Sequence, residues 1–299
     1  MEPVRILILG VTGMLGHKLF LQLSSYENLQ VFATARNPGD WVKTFPGELA
    51  DKMRWGVDAD EFDTVVGAIG EVKPDLVINC MGIIKQGVLG QDYLANISLN
   101  ALTPHKLARA CEQTGSRLLH ISTDCVFRGD KGGYIESDIP DALDLYGRSK
   151  ALGEVDYRHC LTLRTSIIGH ELKSHLGLIE WFLAQKNQIY GYTHHIYTGF
   201  PTVELARIIA CHIIPNPWLH GLYHLSSEPI SKYELLKLVA LTYNKAIEIV
   251  PDDETICDRS LDCAKLRNLI KYVPPTWPEM IEHMYKDFLA TPYSQSITK

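Results

Sequence analysis

Near its start, the chain passes from a short apolar run to a helical pattern across a glycine-rich turn. Val4–Leu9 is apolar enough to be a buried strand, and Met14–Ser25 carries apolar residues at helical spacing. The turn contains Gly10, Gly13 and Gly16, a spacing that allows a tight turn, a close backbone approach and close packing of helix on sheet. The N-terminus of the following helix then points towards a ligand bound at the turn. Because helix N-termini attract anions, we expect this turn to bind the phosphates of a dinucleotide.

The same alternation continues through the first half of the chain. We predict further strands and helices in turn, at Gln30–Ala35, Asp60–Val72, Asp75–Cys80, Tyr93–Thr114, Arg117–Ser122, Leu145–Tyr157 and Cys160–Ile167. Strands that are apolar on both faces and separated by helices are typical of a parallel sheet covered on both sides. The sequence therefore predicts an α/β fold with a doubly wound parallel sheet.

After about Gly169 the pattern is less regular. Helices are predicted at Leu178–Gln185, Val203–Ile214, Lys232–Asn244 and Pro278–Phe288, an aromatic, His-rich loop at Tyr190–Tyr197, and a late strand at Gly221–Leu225. We assign residues 1–168 to a cofactor-binding domain that also takes the strand near 221–225. Residues 169–299 would form a smaller C-terminal domain, mainly for substrate, interleaved with the first because no polar linker separates them.

The composition excludes several classes of protein. With 299 residues, 46% of them hydrophobic, the chain has enough apolar material to fold, and its net charge of −6 argues against a nucleic-acid partner. No apolar run approaches the ~20 residues of a membrane helix, so we expect no membrane partner. Seven scattered cysteines without a Cys-x-x-Cys pair indicate a reducing compartment. We find no targeting segment, and so expect a cytoplasmic protein without a structural metal.

The residues after the second strand bear on the choice of cofactor. Arg36, followed by Asn37, occupies the position where an acidic residue would hold the ribose of NAD. An arginine there accommodates the 2′-phosphate of NADP instead, so we expect NADPH, with NADH as the alternative. The other candidate cofactor residues are Thr12, Met14 and Leu15 at the turn, Asp58 for the adenine edge, and Cys80, Met81 and Gly82 along the flank.

Two motifs carry the candidate chemistry. Tyr146 and Lys150 share a helix face because they are four residues apart, and an ammonium beside a phenol is expected to lower the pKa of the phenol. Thr123 lies just past the fifth strand, at the edge of the sheet where ligands bind. Its hydroxyl could hydrogen-bond a carbonyl oxygen while Tyr146 protonates that oxygen.

Together these motifs resemble the extended short-chain dehydrogenase/reductases, and more closely the dTDP-4-dehydrorhamnose reductase family. The matching segments are the glycine turn, Ser122–Phe127, Tyr146–Glu154, Arg164–Ser166, Pro201–Thr202 and Gly221–His224. The resemblance covers nearly the whole chain and is densest over residues 1–170. It implies a Rossmann-type fold and NAD(P)H-dependent reduction of the 4-keto group of a nucleotide-activated 6-deoxy sugar, for surface polysaccharide precursors.

The resemblance also implies residue roles. Tyr146 would donate the proton, Lys150 would bind the nicotinamide ribose, and Thr123 would bind the carbonyl oxygen. Asn100 would distort its helix and feed the proton relay. Arg164 and Thr165 would border the nicotinamide. Candidates for the nucleotide-diphosphate sugar are Lys85, Asp124, Cys125, Val126, His175, Trp181 and Arg259.

Two alternatives stay open. Cys125 stands where related 4,6-dehydratases have Glu, which argues against dehydration. Related epimerase/reductases have Cys at this offset, so Cys125 and His175 could exchange protons beside the ketone. The other alternative is a non-catalytic NADP-binding regulatory subunit, like the β subunit of methionine adenosyltransferase.

The adjacent His194 and His195 are interpreted as loop residues near a substrate phosphate, not as metal ligands. A homodimer is the default assembly.

Overall fold

The computed structural model describes residues 2–172 and 176–291. The strands are β1 (Val4–Leu9), β2 (Leu29–Ala35), β3 (Met53–Trp55), β4 (Leu76–Asn79), β5 (Arg117–Thr123), β6 (Cys160–Thr165), β7 (Ile167–Ile168), β8 (Gln188–Tyr192), β9 (His195–Tyr197), β10 (Phe200–Pro201), β11 (Gly221–His224), β12 (Ile230–Ser231), β13 (Glu248–Asp252) and β14 (Cys257–Asp258). The α-helices are α1 (Met14–Leu23), α2 (Gly47–Ala50), α3 (Phe62–Val72), α4 (Tyr93–Asn96), α5 (Thr103–Thr114), α6 (Leu145–Leu152), α7 (Leu178–Ala184), α8 (Thr202–Ile208), α9 (Lys232–Thr242), α10 (Ala264–Ile270) and α11 (Trp277–Ala290). Among these described residues, no helix combines the length and the apolarity that a bilayer crossing requires.

A seven-stranded parallel sheet, in the order β11–β6–β5–β4–β1–β2–β3, lies at the centre of the molecule. β1 pairs with β2 on one side and with β4 on the other. The chain therefore builds the sheet outward from β1 in one direction and then from β4 in the opposite direction. This change of direction leaves a crevice at the carboxyl ends of β1 and β4. The predicted doubly wound α/β fold is confirmed.

Both faces of β1 are buried, which explains its nearly unbroken apolar sequence. Ile6 packs in the cluster that contains Leu19 of α1, whereas Leu7 packs in the cluster that contains Ile69 of α3. Successive side chains of a strand point to opposite faces, so a strand covered by helices on both sides must be apolar at every position. The sheet is thus held rigidly beneath the crevice.

The helix that carries the candidate catalytic pair is shorter than predicted. α6 ends at Leu152, and Gly153 follows it. A Cβ at Gly153 would overlap the carbonyl oxygen of Asn100 in the neighbouring helix, so only glycine fits there. α6 therefore packs directly on the backbone around Asn100.

The predicted loop at Tyr190–Tyr197 is wrong, because this stretch contains two strands. β8 pairs with β13, and β9 pairs with β12 and β14. The strands that pair with β8 and β9 lie between residues 230 and 258, and no local sequence pattern predicts pairing over such a distance. The strands β13 and β14 were not predicted for the same reason, and the helix α10 was also missed.

The predicted late strand is confirmed as β11, which pairs in parallel with β6 at the edge of the main sheet. One sheet therefore contains strands from both halves of the chain. The division into residues 1–168 and 169–299 stays a prediction.

Candidate active site

A cleft of about 640 Å³ opens at the carboxyl ends of the central strands. Its walls come from the glycine turn, the segments after β4 and β5, α6, the end of β6 and the later part of the chain. The predicted site residues that line it are Gly13, Met14, Leu15, Cys80, Met81, Gly82, Lys85, Thr123, Asp124, Cys125, Tyr146, Lys150, Thr165 and Arg259. The cleft lies where the strand order places a ligand site.

The glycine turn forms a backbone cradle at the start of α1. Gly10 has a φ of +87°, in the region that favours glycine, and Gly13 directly precedes α1. A Cβ at Gly16 would overlap the carbonyl oxygen of Gly10, so α1 can pack this closely on the turn only without a side chain. Thr12 is half-buried beside the turn and outside the lining of the cleft. The cradle fits a pyrophosphate, because backbone N–H groups at a helix N-terminus attract anions.

The predicted adenosine end of the site lies on the surface, outside the lining of the cleft. Arg36 and Asn37 are exposed directly after β2, and the Arg36 side chain is 72% exposed. Its Nη1 atom lies 4.0 Å from Oδ2 of Asp58, which follows β3. The structure thus brings together the arginine predicted for the 2′-phosphate and the acid predicted for the adenine.

The start of α6 places the candidate catalytic helix against the end of β5. The Asp144 carboxylate caps α6 by accepting a hydrogen bond from the Gly147 N–H at 2.9 Å. A Cβ at Gly147 would overlap the carbonyl oxygen of Cys125, so this glycine permits close contact. As a result, Tyr146 lies beside the residues that follow β5. Lys85 forms an ion pair with this capping residue, since its Nζ lies 3.2 Å from the Asp144 carboxylate.

The hydroxyl groups of Thr123 and Tyr146 lie close to each other in the wall of the cleft. The Thr123 hydroxyl donates to Oδ1 of Asp124 at 3.1 Å and accepts from the Cys125 N–H at 3.1 Å. Two hydroxyl groups are therefore held side by side in the wall of the cleft. A carbonyl oxygen placed beside them would accept from the Tyr146 hydroxyl, and also from the Thr123 hydroxyl once that group turns away from Asp124.

The structure corrects the expectation that Lys150 lowers the pKa of Tyr146. Burial and the neighbouring Cys125 and Asp124 instead raise the pKa of the phenol well above its usual value. Lys150 Nζ donates to the Ile121 carbonyl at 2.7 Å, and burial lowers the pKa of Lys150 to about 8. At neutral pH the phenol is therefore protonated, as a proton donor must be.

Asp124, Cys125 and Arg259 form one contact group beside the two hydroxyls. Burial raises the pKa of the Asp124 carboxyl, against the opposing effect of Arg259. Burial and Asp124 raise the pKa of the Cys125 thiol to about 12. Arg259 Nη1 lies 4.0 Å from Cys125 Sγ, and its Nε donates to the Phe127 carbonyl at 2.8 Å. Arg259, which was predicted to contact the substrate, thus reaches the end of β5.

Arg164 does not border the cleft, which corrects its predicted placement. Its neighbour Thr165 lines the cleft, so the alternation of β6 turns Arg164 to the other face. There it forms two hydrogen bonds of 2.7 Å to the Glu154 carboxylate and lies over the Phe127 ring. Each nitrogen atom of the guanidinium has a hydrogen-bond partner inside the protein.

Two further predicted substrate residues also lie outside the cleft. Val126 is completely buried and packs with Phe127, Tyr134 and Leu261 in the core. Trp181 of α7 is 41% exposed and does not line the cleft. His175 lies outside the described residues, so its predicted role stays untested.

Asn100 lies in a π-helical segment, Ile97–Leu102, between α4 and α5. This fits the helix distortion that the resemblance implies, although the predicted proton relay stays a prediction. The Asn100 amide accepts from the Ile83 N–H at 2.9 Å and donates to the Ile83 carbonyl at 3.1 Å. It thereby holds the segment after β4 without lining the cleft itself.

The sequence interpretation missed Tyr197 and Lys232 as residues that line the cleft, whereas His195, interpreted as a loop residue near a substrate phosphate, lies in β9 and also lines it. All three come from β9 or the start of α9, whose placement depends on distant pairing. Burial, Lys232 and Arg259 lower the pKa of His195 to about 4, and its buried Nδ1 has no hydrogen-bond partner among the described residues. A buried polar atom of this kind requires a partner such as a ligand or water.

Known proteins resemble this chain over most of its length. It is 28% identical to the methionine adenosyltransferase 2 subunit beta of Danio rerio, over 80% of this chain and 74% of that protein. It is 27% identical to the dTDP-4-dehydrorhamnose reductase of Aggregatibacter actinomycetemcomitans, over 94% of this chain and 98% of that protein. The structure of the Bacillus anthracis dTDP-4-dehydrorhamnose reductase in complex with NADP superposes with a TM-score of 0.75. That match covers 96% of this chain and all of the other at 22% identity, so it shows the fold.

A family model described as RmlD substrate binding domain matches residues 4–290. The match extends from β1 to α11, and the resemblance to dTDP-4-dehydrorhamnose reductases seen in the sequence is confirmed. The protein therefore belongs to the RmlD substrate binding domain family.

Proposed function

We propose that the protein is an NADPH-dependent reductase of the 4-keto group of a nucleotide-activated 6-deoxy sugar. The observation that carries this proposal is the placement of Thr123, Tyr146 and Lys150 together in the wall of the cleft, with Tyr146 and Lys150 on one helix. A carbonyl oxygen placed there would receive a hydrogen bond from Thr123 and a proton from Tyr146. The dTDP-4-dehydrorhamnose reductase relative supports the choice of substrate class.

The residues present fit a dinucleotide cofactor. The cradle between Gly10 and Gly16 excludes side chains, and the exposed Arg36 is free to approach a 2′-phosphate. Lys150 would donate hydrogen bonds to the hydroxyls of the ribose that carries the nicotinamide. When bound, NADPH supplies the hydride for C4 of the sugar.

The proton comes from this chain's own residues. Because its pKa is raised, the Tyr146 phenol stays protonated until a stronger base, the developing C4 alkoxide, is placed beside it. Thr123 holds that oxygen in place while the proton moves. The walls of the cleft around both hydroxyls limit the access of water, which strengthens these hydrogen bonds.

Basic side chains in the cleft would meet the diphosphate of the substrate. Lys85, Lys232 and Arg259 line the cleft, and the neutral His195 could donate or accept a hydrogen bond.

We propose that the reaction serves surface polysaccharide precursors in the cytoplasm. A homodimer remains a prediction, which sedimentation of the purified protein would check.

The test is NADPH oxidation with a panel of 4-keto-6-deoxy sugars carried on dTDP, UDP, GDP or CDP. We expect oxidation with at least one of them and formation of the 4-hydroxy sugar. If no sugar nucleotide is reduced although NADPH binds tightly, the reductase proposal is wrong.

A second candidate is a regulatory subunit that binds NADP without turnover, because the chain is 28% identical to a methionine adenosyltransferase 2 subunit beta. The same panel separates the two functions. A regulatory subunit would bind NADPH, reduce no sugar nucleotide and alter the kinetics of a methionine adenosyltransferase added to it. The intact Thr123, Tyr146 and Lys150 favour the enzyme.

Arg36→Ala should weaken NADPH binding about tenfold or more and leave NADH binding unchanged, because only NADPH carries the 2′-phosphate that a charged hydrogen bond would hold. Titration with each dinucleotide, followed by nicotinamide fluorescence, measures both affinities. Lys286→Ala is the matched control, since Lys286 is also exposed and paired with an acid, Glu282, at 2.7 Å on α11. An equal loss of affinity for both dinucleotides would contradict the assignment of Arg36.

The epimerase/reductase alternative makes a separate prediction about Cys125. Its thiol lines the cleft, but a pKa raised to about 12 makes it a poor base at neutral pH. We therefore expect wild type, reducing its substrate in D2O, to incorporate no deuterium at C3 or C5, and Cys125→Ala to retain measurable reduction. Mass spectrometry of the product checks this. Incorporation by wild type that disappears in Cys125→Ala would establish the epimerase/reductase instead.

A further inference from the structure

A buried carboxylate lies directly behind the candidate catalytic groups. Glu154 follows α6, and its side chain is only 9% exposed. Its two oxygens accept three hydrogen bonds of 2.7 Å, two from the Arg164 guanidinium and one from the Ser122 hydroxyl. Such a bidentate pair fixes both the position and the orientation of the carboxylate.

The bond to Ser122 connects Glu154 to the end of β5. Three consecutive residues of that strand hold different parts of the site. The Ile121 carbonyl accepts from Lys150 Nζ at 2.7 Å, the Ser122 hydroxyl donates to Glu154, and the Thr123 hydroxyl lies beside Tyr146 in the lining of the cleft. Because Glu154 anchors the middle residue, it restrains the neighbours on both sides.

Glu154 also acts on Lys150 through its charge. Burial lowers the pKa of Lys150, and Glu154 provides the largest opposing effect, ahead of Cys80 after β4. The other titratable group that faces Lys150 from β5 is His120, whose pKa is far below its usual value because it is buried, so it is neutral. Glu154 is therefore the carboxylate that favours the ammonium form of Lys150.

We propose that Glu154 is a positioning residue for the reduction proposed above, on which this inference rests. It holds the end of β5 through Ser122 and keeps Lys150 in its ammonium form at neutral pH. Arg164 in turn fixes the orientation of the Glu154 carboxylate through two hydrogen bonds. The buried ion pair thus serves the site, in addition to filling the core beneath it.

The first test measures Lys150 directly, in the full-length protein without substrate or cofactor. Acetylation of Lys150 by acetic anhydride is followed by mass spectrometry as a function of pH, because only the free amine reacts. Glu154→Gln should lower the midpoint by about one pH unit, which makes the reaction about tenfold faster at neutral pH. Glu154→Asp, which keeps the charge, should restore most of the wild-type midpoint.

A matched control exists in a different part of the core. Glu204 on α8 is also buried, is paired with Arg207 at 2.6 Å and accepts from the Tyr272 hydroxyl at 2.8 Å. Glu204→Gln should lower the thermal stability as Glu154→Gln does, yet leave the Lys150 midpoint unchanged. An unchanged midpoint in Glu154→Gln would overturn the proposal and leave Glu154 with a structural role only.

Removing one partner of a buried pair leaves an uncompensated charge, so Glu154→Gln alone could prevent folding. The double variant Glu154→Gln/Arg164→Gln exchanges the pair for two neutral amides. It should still lower the Lys150 midpoint, and a midpoint equal to that of wild type would likewise overturn the proposal.

Activity gives the second readout. In the pH profile of kcat, the fall at high pH should begin earlier in Glu154→Gln than in wild type. The shift should equal the shift in the Lys150 acetylation midpoint, while KM for the sugar nucleotide stays within about twofold. If wild type reduces no sugar nucleotide, the proposed function fails, but the acetylation midpoint still decides whether Glu154 controls Lys150. If wild type is active and neither the midpoint nor the pH profile moves, the inference fails alone.

Discussion

Tyr146→Phe should lower the rate of NADPH oxidation by about 10²- to 10⁴-fold, the range that a positioned general acid contributes. The substitution removes only the phenolic hydroxyl beside Thr123 and leaves the ring in the wall of the cleft. NADPH affinity should therefore stay within about threefold of wild type, because the main cofactor contacts lie elsewhere. Stopped-flow oxidation under single-turnover conditions, together with an NADPH titration, measures both quantities.

Tyr157→Phe is the matched control for this prediction. Tyr157 is 48% exposed, and its hydroxyl bonds to His105 at 3.2 Å, away from the cleft. The control should reduce substrate at the wild-type rate. If Tyr146→Phe retained more than about a tenth of the wild-type rate, Tyr146 could not be the principal proton donor.

Gly16→Ala is expected to abolish the cofactor site while leaving the chemistry of the catalytic residues intact. A Cβ at this position would overlap the Gly10 carbonyl oxygen, so α1 must move away from the turn. Overpacking of this kind costs about 1–3 kcal/mol, and displacement of the helix N-terminus should weaken NADPH binding about 100-fold or more. Isothermal titration with NADPH and thermal unfolding measure the two effects.

Gly67→Ala controls for the chemical change itself. Gly67 lies on α3, is exposed, and would have nothing within 4 Å of the added methyl group. Alanine in a helix interior is more favourable than glycine by up to about 1 kcal/mol, so this variant should be slightly stabilised and bind NADPH normally. Wild-type NADPH affinity in Gly16→Ala would refute the assignment of the turn as the cofactor cradle.

Local patterns predicted much of the fold and of the site. Five of the first six strands, all but the short and partly exposed β3, follow the alternation of apolar runs and helices, because neighbouring segments bury both of their faces. The pair of Tyr146 and Lys150 could be recognised because residues four apart share a helix face. The glycine turn could be recognised because its spacing serves one compact strand–turn–helix unit.

Distant contacts could not be predicted in this way. The stretch Tyr190–Tyr197 has the composition of a loop, yet it becomes two strands because partners from residues 230–258 complete its hydrogen bonds. His195 and Lys232 therefore enter the cleft without a local signal. Arg164 was placed in the cleft with its whole segment, whereas in the structure it pairs with Glu154, just after α6.

The amino-acid order alone predicted the doubly wound sheet, the glycine turn and the pairing of Tyr146 with Lys150, because each follows from a local pattern. The electrostatics of the site depend on the folded chain. Burial and the proximity of Asp124 and Cys125 raise the pKa of Tyr146, although its spacing from Lys150 suggests the opposite. Desolvation and charge act through space, so their balance is set only when distant segments pack together.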